Sequence, residues 1–283
     1  MITRYGDTLN ATADTSRNRT PAIWYDVPIE EIMVDPMKGS YLFDDFKWGI
    51  NTGKTPVASG PYDVYGDTGV IFRQEVASQS TGVVELTGND ADNDEGVLAT
   101  GPMALISDAA ANARKVVFEA RVNVASITDE AIGWFVGLGY DAGSFATCAQ
   151  TTCLTDDEAD LQAWSFLGFH VDLSDCDALD WVYRAEGQAQ TVKTAGFLVP
   201  VVDTWYKLGF RYDPDFPSSK RIKVYLNGVE QASSAITATE IATATFPDEE
   251  AMGMVFAGKV GTAAAVDLRM DWWGCAMWGD VEI

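Results

Sequence analysis

Acidic side chains are crowded into the ten-residue stretch TGNDADNDEG, which begins at Thr87. Asp90, Asp92 and Asp94 have the spacing of positions 1, 3 and 5 of a calcium-binding loop, where carboxylate oxygens are ligands. The sixth position is Glu95 instead of glycine, and the twelfth position lacks the bidentate glutamate. Asparagine and aspartate also form turns through hydrogen bonds to the backbone. We therefore expect this acidic loop (residues 88–96) to connect two strands without a required cofactor, and calcium bound by the three aspartates is the alternative.

Residues suited to catalysis are sparse. His170 is the only histidine, and no G-x-S-x-G motif occurs, so support for a Ser-His-Asp arrangement is weak. In the segment FLGFHVDL this histidine alternates with apolar residues, which predicts a polar and accessible position. Retaining glycosidases need two carboxyl groups about 5 Å apart, and no string such as E-x-D-x-E places such a pair on one strand. No catalytic residue is assigned, and the sequence predicts a protein that is not an enzyme.

The charge balance is strongly acidic. The 283 residues include 42 acidic and 19 basic side chains, which give a formal net charge of −23. A surface this negative repels nucleic acid and anionic membranes. No run approaches the roughly 18 apolar residues that a membrane-spanning helix needs. We expect neither nucleic acid nor a membrane as a partner.

Four cysteines leave the redox state open. They stand at Cys148, Cys153, Cys176 and Cys275, and the absence of a C-x-x-C motif gives little support to a zinc site. The N-terminal stretch has no apolar run of the kind found in a signal peptide. This favours free thiols over a disulfide, although four cysteines allow three pairings.

Alternating apolar and polar residues predict strands from residue 41 onward. In KVVFEARVNV, which begins at Lys115, alternate residues from Val116 form an apolar face and the others a solvated face. AIGWFVGLGY is apolar on both faces, as in a central strand covered on both sides. VDLRMDWW places Met270 and Trp272 on one face. Asn227-Gly228 predicts a tight hairpin turn. Many short strands without a linker predict one all-β antiparallel sandwich, a jelly roll, over residues 41–283.

Residues 1–40 differ from the rest of the chain. They contain three prolines and no sustained period, which predicts an extended N-terminal arm that orders through contact with another chain. Deletion of the arm is then expected to leave the sandwich folded. Basic and aromatic side chains supply its predicted partner-binding residues, namely Arg4, Tyr5, Arg17, Arg19, Trp24 and Tyr25.

Several strands together resemble a known family. The segments VFEARVNV, WFVGLGY, WYKLGFRY, VYLNG and VDLRMDWW are similar to the concanavalin A-like lectin/glucanase jelly roll. DADNDEGVLAT before VFEARVNV is similar, more narrowly, to virion proteins of tailed phages that carry this fold. The resemblance covers residues from about 70 to about 275 and implies a sandwich that works in binding and assembly. The glucanase branch implies a carboxylate pair and the lectin branch a metal and sugar site, and matching residues for either are missing.

Two functions follow as hypotheses, and a glycoside hydrolase with an unfamiliar acid pair is a third that ranks below both. The first is a non-enzymatic capsid decoration or cement protein. It would be made in the host cytoplasm, bind the major capsid protein on the outer surface of the virion, and self-associate into a homo-oligomer. The second is a glycan-binding fibre or tail module that recognises a surface glycan of the host. Exposed aromatic residues would support the second hypothesis, and the candidates are Trp134, Trp181, Trp205 and Trp273.

Overall fold

A computed structural model describes residues 13–47, 57–59, 61–67, 70–74, 82–88, 93–107, 109, 114–140, 153–156, 160–261 and 267–279. Within these ranges the chain forms two antiparallel sheets with few helices. The helices are short, namely α1 (Pro21–Trp24), α2 (Ile29–Val34) and α3 (Ala238–Ile241). Single 3-10 turns lie at Pro36–Lys38, Leu173–Asp175, Ser218–Lys220 and Ala232–Ser234.

Sheet A has eight described strands, in the order β15-β14-β13-β8-β17-β5-β4, and β1 pairs with the second half of β17. Its strands are β1 (Gly39–Asp44), β4 (Ile71–Gln74), β5 (Val84–Thr87), β8 (Lys115–Val124), β13 (Tyr206–Tyr212), β14 (Ile222–Leu226), β15 (Val229–Glu230) and β17 (Asp267–Trp278).

Sheet B has nine described strands, in the order β12-β11-β10-β9-β16-β6-β3-β2, and β7 pairs with one end of β16. Its strands are β2 (Val57–Ser59), β3 (Tyr62–Gly66), β6 (Glu95–Thr100), β7 (Ala104–Leu105), β9 (Ile132–Tyr140), β10 (Ser165–Val171), β11 (Leu179–Arg184), β12 (Thr191–Leu198) and β16 (Ala251–Val260).

The main core lies between the two sheets. Phe118 and Phe210 of sheet A stack with ring centroids 5.4 Å apart. Trp181 of sheet B lies 5.3 Å from Phe210 and 5.0 Å from Phe169. Aromatic rings at these separations contribute beyond the apolar area that they bury. The antiparallel sandwich expected from the alternating strands is therefore confirmed.

Two local predictions are confirmed by the strand register. Asn227 and Gly228 join β14 to β15 with φ angles of 49° and 81°, as a two-residue turn with both residues left-handed requires. The doubly apolar strand β9 is central, because it pairs with β10 on one side and β16 on the other. All of its residues except Tyr140 at the end are buried.

The side-chain orientations that the sequence predicts for β17 are wrong after Met270. Met270 pairs with Val122, but Trp272 pairs with Arg121, so one extra residue forms a β-bulge between them. A bulge moves the following side chains to the opposite face. Trp273 consequently enters the main core, and Trp272 packs against Phe43 on the outer side of sheet A.

The predicted solvated face of β8 is also wrong at its centre. Val116, Phe118 and the other alternate residues face the main core as expected. Val117 and Glu119 point the other way, yet both are buried. Residues 13–38, named the N-terminal segment from here on, cover them.

Candidate functional site

The N-terminal segment packs on the outer face of sheet A through α1. Ile23 and Trp24 are buried against Val117 and Trp278, in a second apolar cluster separate from the main core. Glycines in the sheet make room for both side chains. A Cβ atom at Gly209 would lie 2.8 Å from Ile23 Cδ1, 2.9 Å from the Phe118 carbonyl oxygen and 3.1 Å from Glu119 Cγ. One at Gly274 would lie 3.1 Å from Trp24 Cη2.

Glu119 anchors the N-terminal segment at the centre of the sheet. Its Oε2 atom accepts hydrogen bonds from the backbone N–H of Thr20 at 3.0 Å and from Trp24 Nε1 at 2.8 Å. The carboxyl group is fully buried, and its Oε1 atom has no hydrogen-bond partner among the residues that the structure describes. Desolvation raises the pKa of Glu119, and the hydrogen bonds from Thr20 and Trp24 oppose that rise. Buried carboxyl groups without full compensation are costly, so this group needs the segment in place.

Ion pairs fasten the beginning of the same segment. Asp271, which the bulge of β17 presents outward, accepts hydrogen bonds from Arg17 and, at 2.6 Å, from Arg121. Lys207 is fully buried and donates to Asp14 Oδ2 at 3.0 Å. Burial would raise the pKa of Asp14, but hydrogen bonds from Ser16 and Lys207 lower it to about 2.

Arg211 is a second buried cation, and it binds the C-terminal end of α1. The guanidinium of Arg211 is fully buried and donates to Asp213 at 2.8 Å, to Asp26 at 2.8 Å and to the carbonyl oxygen of Ile23 at 3.1 Å. The ring of Tyr25 lies 4.6 Å from its central carbon. These charge-assisted hydrogen bonds raise the pKa of Arg211, against the effect of burial.

The predicted arm is therefore not extended over its described part. Of the six residues proposed for partner binding, Arg17 and Trp24 contact Asp271 and Glu119 of the same chain. Arg19 donates to Tyr41 at 3.1 Å and lies over the ring of Trp24. Tyr25 covers Arg211 and remains 58% exposed. Arg4 and Tyr5 lie outside the described residues, and the division of the chain at residue 40 stays a prediction.

The acidic loop is described at residue 88 and from residue 93 onward, and its last two residues, Glu95 and Gly96, already belong to β6. Asp90 and Asp92 lie outside the described residues. The backbone N–H of Asn93 donates to the Val260 carbonyl oxygen, and the backbone carbonyl oxygen of Asp94 accepts from the Val260 N–H, both at 2.9 Å. These two bonds join residues 93 and 94 to the end of β16. Desolvation and the neighbouring Asp67 raise the pKa of Asp94. Among the residues that the structure describes, no group of three or more His, Cys, Asp or Glu side chains could hold a metal ion.

The outer face of sheet B is covered by residues 153–156 and 160–164 of the same chain. Phe256 packs on Phe72 of sheet A, so Lys259, three residues further along β16, points outward. Lys259 pairs in register with Glu95 of β6, and both side chains are fully buried. Glu95 Oε1 accepts from the N–H groups of Cys153 at 2.6 Å and Leu154 at 3.2 Å. Desolvation raises the pKa of Glu95 to about 8, against the attraction of Lys259.

The aromatic residues considered for glycan stacking are mostly buried. Trp134, Trp181 and Trp273 are at most 3% exposed and belong to the main core. Trp205 is half-buried, and the guanidinium of Arg121 lies 4.6 Å from its ring centre. His170 is also buried, which corrects its predicted accessible position, and Gln190 Nε2 lies 3.4 Å from its Nδ1 atom.

Burial shields two of the thiols. Cys176 and Cys275 are free and buried, and burial raises the pKa of both. Cys153 is also buried, and Cys148 lies outside the described residues. In the part of the chain that the structure describes, no helix has the length and apolar character needed to cross a membrane.

Sequence reasoning missed the buried charged residues Glu95, Glu119, Lys207, Arg211 and Lys259. All of them except Glu95, which follows Asp94, have only apolar or glycine neighbours in their strands, as in FEARV, YKLGFRY and FAGKV. A charge on a strand otherwise covered on both faces is the signal that could have identified them, because such residues are seldom buried without a partner.

Solved structures with the same fold support the class of the protein. A protein of unknown function, SO2946 from Shewanella oneidensis MR-1, is 13% identical, with a TM-score of 0.54 over 90% of this chain and 97% of that one. An endo-acting O-glycanase of the human gut microbiota is 8% identical, with a TM-score of 0.52 over 84% and 99%. Arcelin-5, a lectin-like defence protein from Phaseolus vulgaris, is 8% identical, with a TM-score of 0.50 over 86% and 100%.

The chain is accordingly an all-β sandwich of the concanavalin A-like lectin/glucanase fold. Proteins with this fold include carbohydrate-binding lectins and glycosidases. No protein-family model matches the sequence, and no curated protein matches it. Similarity at these identities establishes the fold alone, so function must be argued from the residues.

Proposed function

We propose that the protein is a non-enzymatic structural component of a phage particle, bound to the major capsid protein on the outer surface of the head as a decoration protein. The observation that carries this proposal is that the chain itself covers part of the outer face of each sheet. The N-terminal segment lies on sheet A, and residues 153–156 and 160–164 lie on sheet B. With these parts of the outer faces covered, the protein would bind a partner through its loops and sheet edges rather than through an open groove.

The environment of the buried carboxyl groups supports a non-enzymatic role. Glu119 is bound to Thr20 and Trp24, and Glu95 is bound to Lys259 and the backbone above it. A glycosidase needs two carboxyl groups that reach the substrate from either side of the scissile bond. We expect no turnover of β-glucans or mucin-type glycans by the purified protein. Turnover that is lost on changing one Asp or Glu would contradict this expectation.

The outward side of the N-terminal segment offers a docking surface. Met33 and Val34 at the end of α2 and Met37 in the turn after it are 73%, 86% and 65% exposed. Contiguous exposed apolar residues typically mark interaction sites. These residues are named the α2 patch. The strongly negative charge of the whole chain would disfavour contact with the packaged genome, which suits an outer position.

Binding to purified heads that lack the protein tests this proposal. The double variant Met33→Asp/Val34→Asp should lose binding, because charged groups would be buried in the interface. Val201→Asp is the matched control, since Val201 is 57% exposed at a site outside the patch. Equal binding by both variants would remove the α2 patch from the proposal. Absence of the protein from the head, or its location at the tail tip, would refute the decoration role. Light scattering of the free protein tests the expected homo-oligomer.

A glycan-binding module is the second candidate. It is favoured by the half-buried ring of Trp205, which carries Arg121 on one face and is the only one of the four tryptophans considered for stacking that is not fully packed. A glycan array probes this function directly. Specific binding that Trp205→Ala abolishes would favour host recognition over head decoration.

A further inference from the structure

Strand β12 lies at one end of sheet B and has an accessible side. Among the described strands it pairs with β11 alone. Its inner side is held to the sandwich, because the ring of Phe197 lies 5.4 Å from that of Phe169 and Leu198 packs against the main core. A strand at the end of a sheet leaves backbone N–H and C=O groups unpaired, and such strands are common sites of contact with another chain. The free side of β12 is therefore a candidate contact surface.

The exposed residues of this strand are arranged symmetrically. Val192 and Val199, the latter just past the end of β12, are 45% and 65% exposed, and Ala195 and Gly196 between them are exposed as well. The residues that separate each valine from this central pair are half-buried. From the middle of Ala195-Gly196, exposure is thus the same in both directions along the chain. These four exposed residues are named the β12 edge.

Charge is scarce around the β12 edge, although the whole chain is strongly acidic. From residue 187 to residue 202 the only charged side chain is Lys193, and its Nζ atom lies 2.5 Å from Glu240 Oε1. The formal net charge of −23 makes two copies of the chain repel each other. That repulsion is locally weak along a stretch without acidic side chains. A second copy can therefore approach the β12 edge at low electrostatic cost.

We propose that two copies of the chain associate through their β12 edges, side by side and antiparallel, about a two-fold axis between Ala195 and Gly196. In this arrangement Val192 of one copy meets Val199 of the other, and the symmetry repeats the contact. The small residues at the centre let the two backbones approach closely. The valines on both sides of the centre lose exposed apolar surface, and this burial is the driving force for association.

The irregular pairing of β12 favours a closed pair over a longer assembly. Its register with β11 shifts twice, between Leu179 and Trp181 and between Trp181 and Val182. Bulged edge strands are poor templates for continuous backbone pairing, so the contact rests mainly on side chains. A two-fold contact also uses the same surface of both copies, which leaves none for a third. The expected species is a dimer.

Dimer formation would be a property of the free protein, beyond its proposed function on a phage head. The β12 edge belongs to sheet B, whereas the α2 patch belongs to the N-terminal segment that covers sheet A. The variant Met33→Asp/Val34→Asp should accordingly remain dimeric even where it fails to bind heads. Failure of the dimer and failure of head binding are therefore separate results.

Sedimentation equilibrium of the full-length protein at several concentrations measures the dimer. Val199→Asp buries one carboxylate of each copy in the contact and should raise the dissociation constant about 100-fold, about tenfold for each carboxylate. Val34→Asp is the matched control, because Val34 is 86% exposed outside the β12 edge, and it should leave the constant unchanged. Added salt should tighten the wild-type dimer, since it screens the repulsion between acidic copies. A wild-type protein that stays monomeric, or a dimer that Val199→Asp leaves intact, would overturn the proposal.

A cysteine at the centre of the contact tests its geometry. In Ala195→Cys the two new thiols flank the two-fold axis, so mild oxidation of the folded protein should give a disulfide-linked dimer in non-reducing gels. Gly101→Cys is the control, because Gly101 is exposed with open space around it and follows β6, near the other end of sheet B. This control and the wild-type chain should stay unlinked. Equal crosslinking of the two cysteine variants would refute the β12 edge as the interface.

Discussion

Replacement of Trp24 by alanine tests whether the N-terminal segment belongs to the fold of the isolated chain. The indole ring is 8% exposed and packs against Val117 and Trp278. Truncation of a buried tryptophan to alanine costs about 3–5 kcal/mol. Loss of the indole hydrogen bond leaves Glu119 with Thr20 alone on Oε2, which adds about 1 kcal/mol. We expect the free energy of unfolding to fall by about 4 kcal/mol or more.

Two further variants divide that loss into its parts. Trp24→Phe keeps most of the apolar contact and removes only the hydrogen bond to Glu119, so its loss should be about 1–2 kcal/mol. Val34→Ala is the control within the same segment, because Val34 is 86% exposed and a surface change of this kind costs at most about 0.5 kcal/mol. The ranking of the three variants is therefore fixed by the structure.

Urea unfolding followed by far-ultraviolet circular dichroism gives these free energies without relying on tryptophan fluorescence. Limited proteolysis of the folded protein reports separately on release of the segment, which should be fast only in Trp24→Ala. A loss below about 1 kcal/mol for Trp24→Ala, no larger than that of Val34→Ala, would refute the packing argument. The segment would then order only on contact with another chain, as the extended-arm interpretation requires.

Three other outcomes follow from the same contacts. Gly209→Ala should cost about 1–3 kcal/mol in urea unfolding because its Cβ atom would press on Ile23 and the backbone, whereas Gly101→Ala, with open space around it, should be nearly neutral. Desolvation keeps a proton on Glu95 in the folded state that the unfolded state releases between about pH 4.5 and 8. Stability should then fall across that range by at most about 1.4 kcal/mol per pH unit, and a Glu95→Gln change should remove the slope. Thermal melting should be the same with calcium and with chelator, and a large upward shift with calcium would show that the acidic loop binds the metal.

The sequence by itself determined the elements whose causes are local. Alternating residues located β8 and β13, because the side chains of a strand point alternately to its two faces. The continuous apolar run of β9 identified a strand covered on both sides. Asn227 and Gly228 specified a hairpin because both tolerate the left-handed backbone that the turn requires. These features need only neighbours within a few residues.

Only the tertiary structure decided what covers each sheet. The alternation in β8 shows that Glu119 and Phe118 face opposite ways, but it does not show that Thr20 and Trp24 bind the glutamate from far along the chain. The bulge in β17 is likewise set by its pairing with β8, since the sequence alone continues the alternation through Trp272. The alternation of apolar and polar residues in a strand predicts the face of the sheet to which each side chain points. Whether a charged side chain on that face is buried depends on partners that only the whole fold brings together.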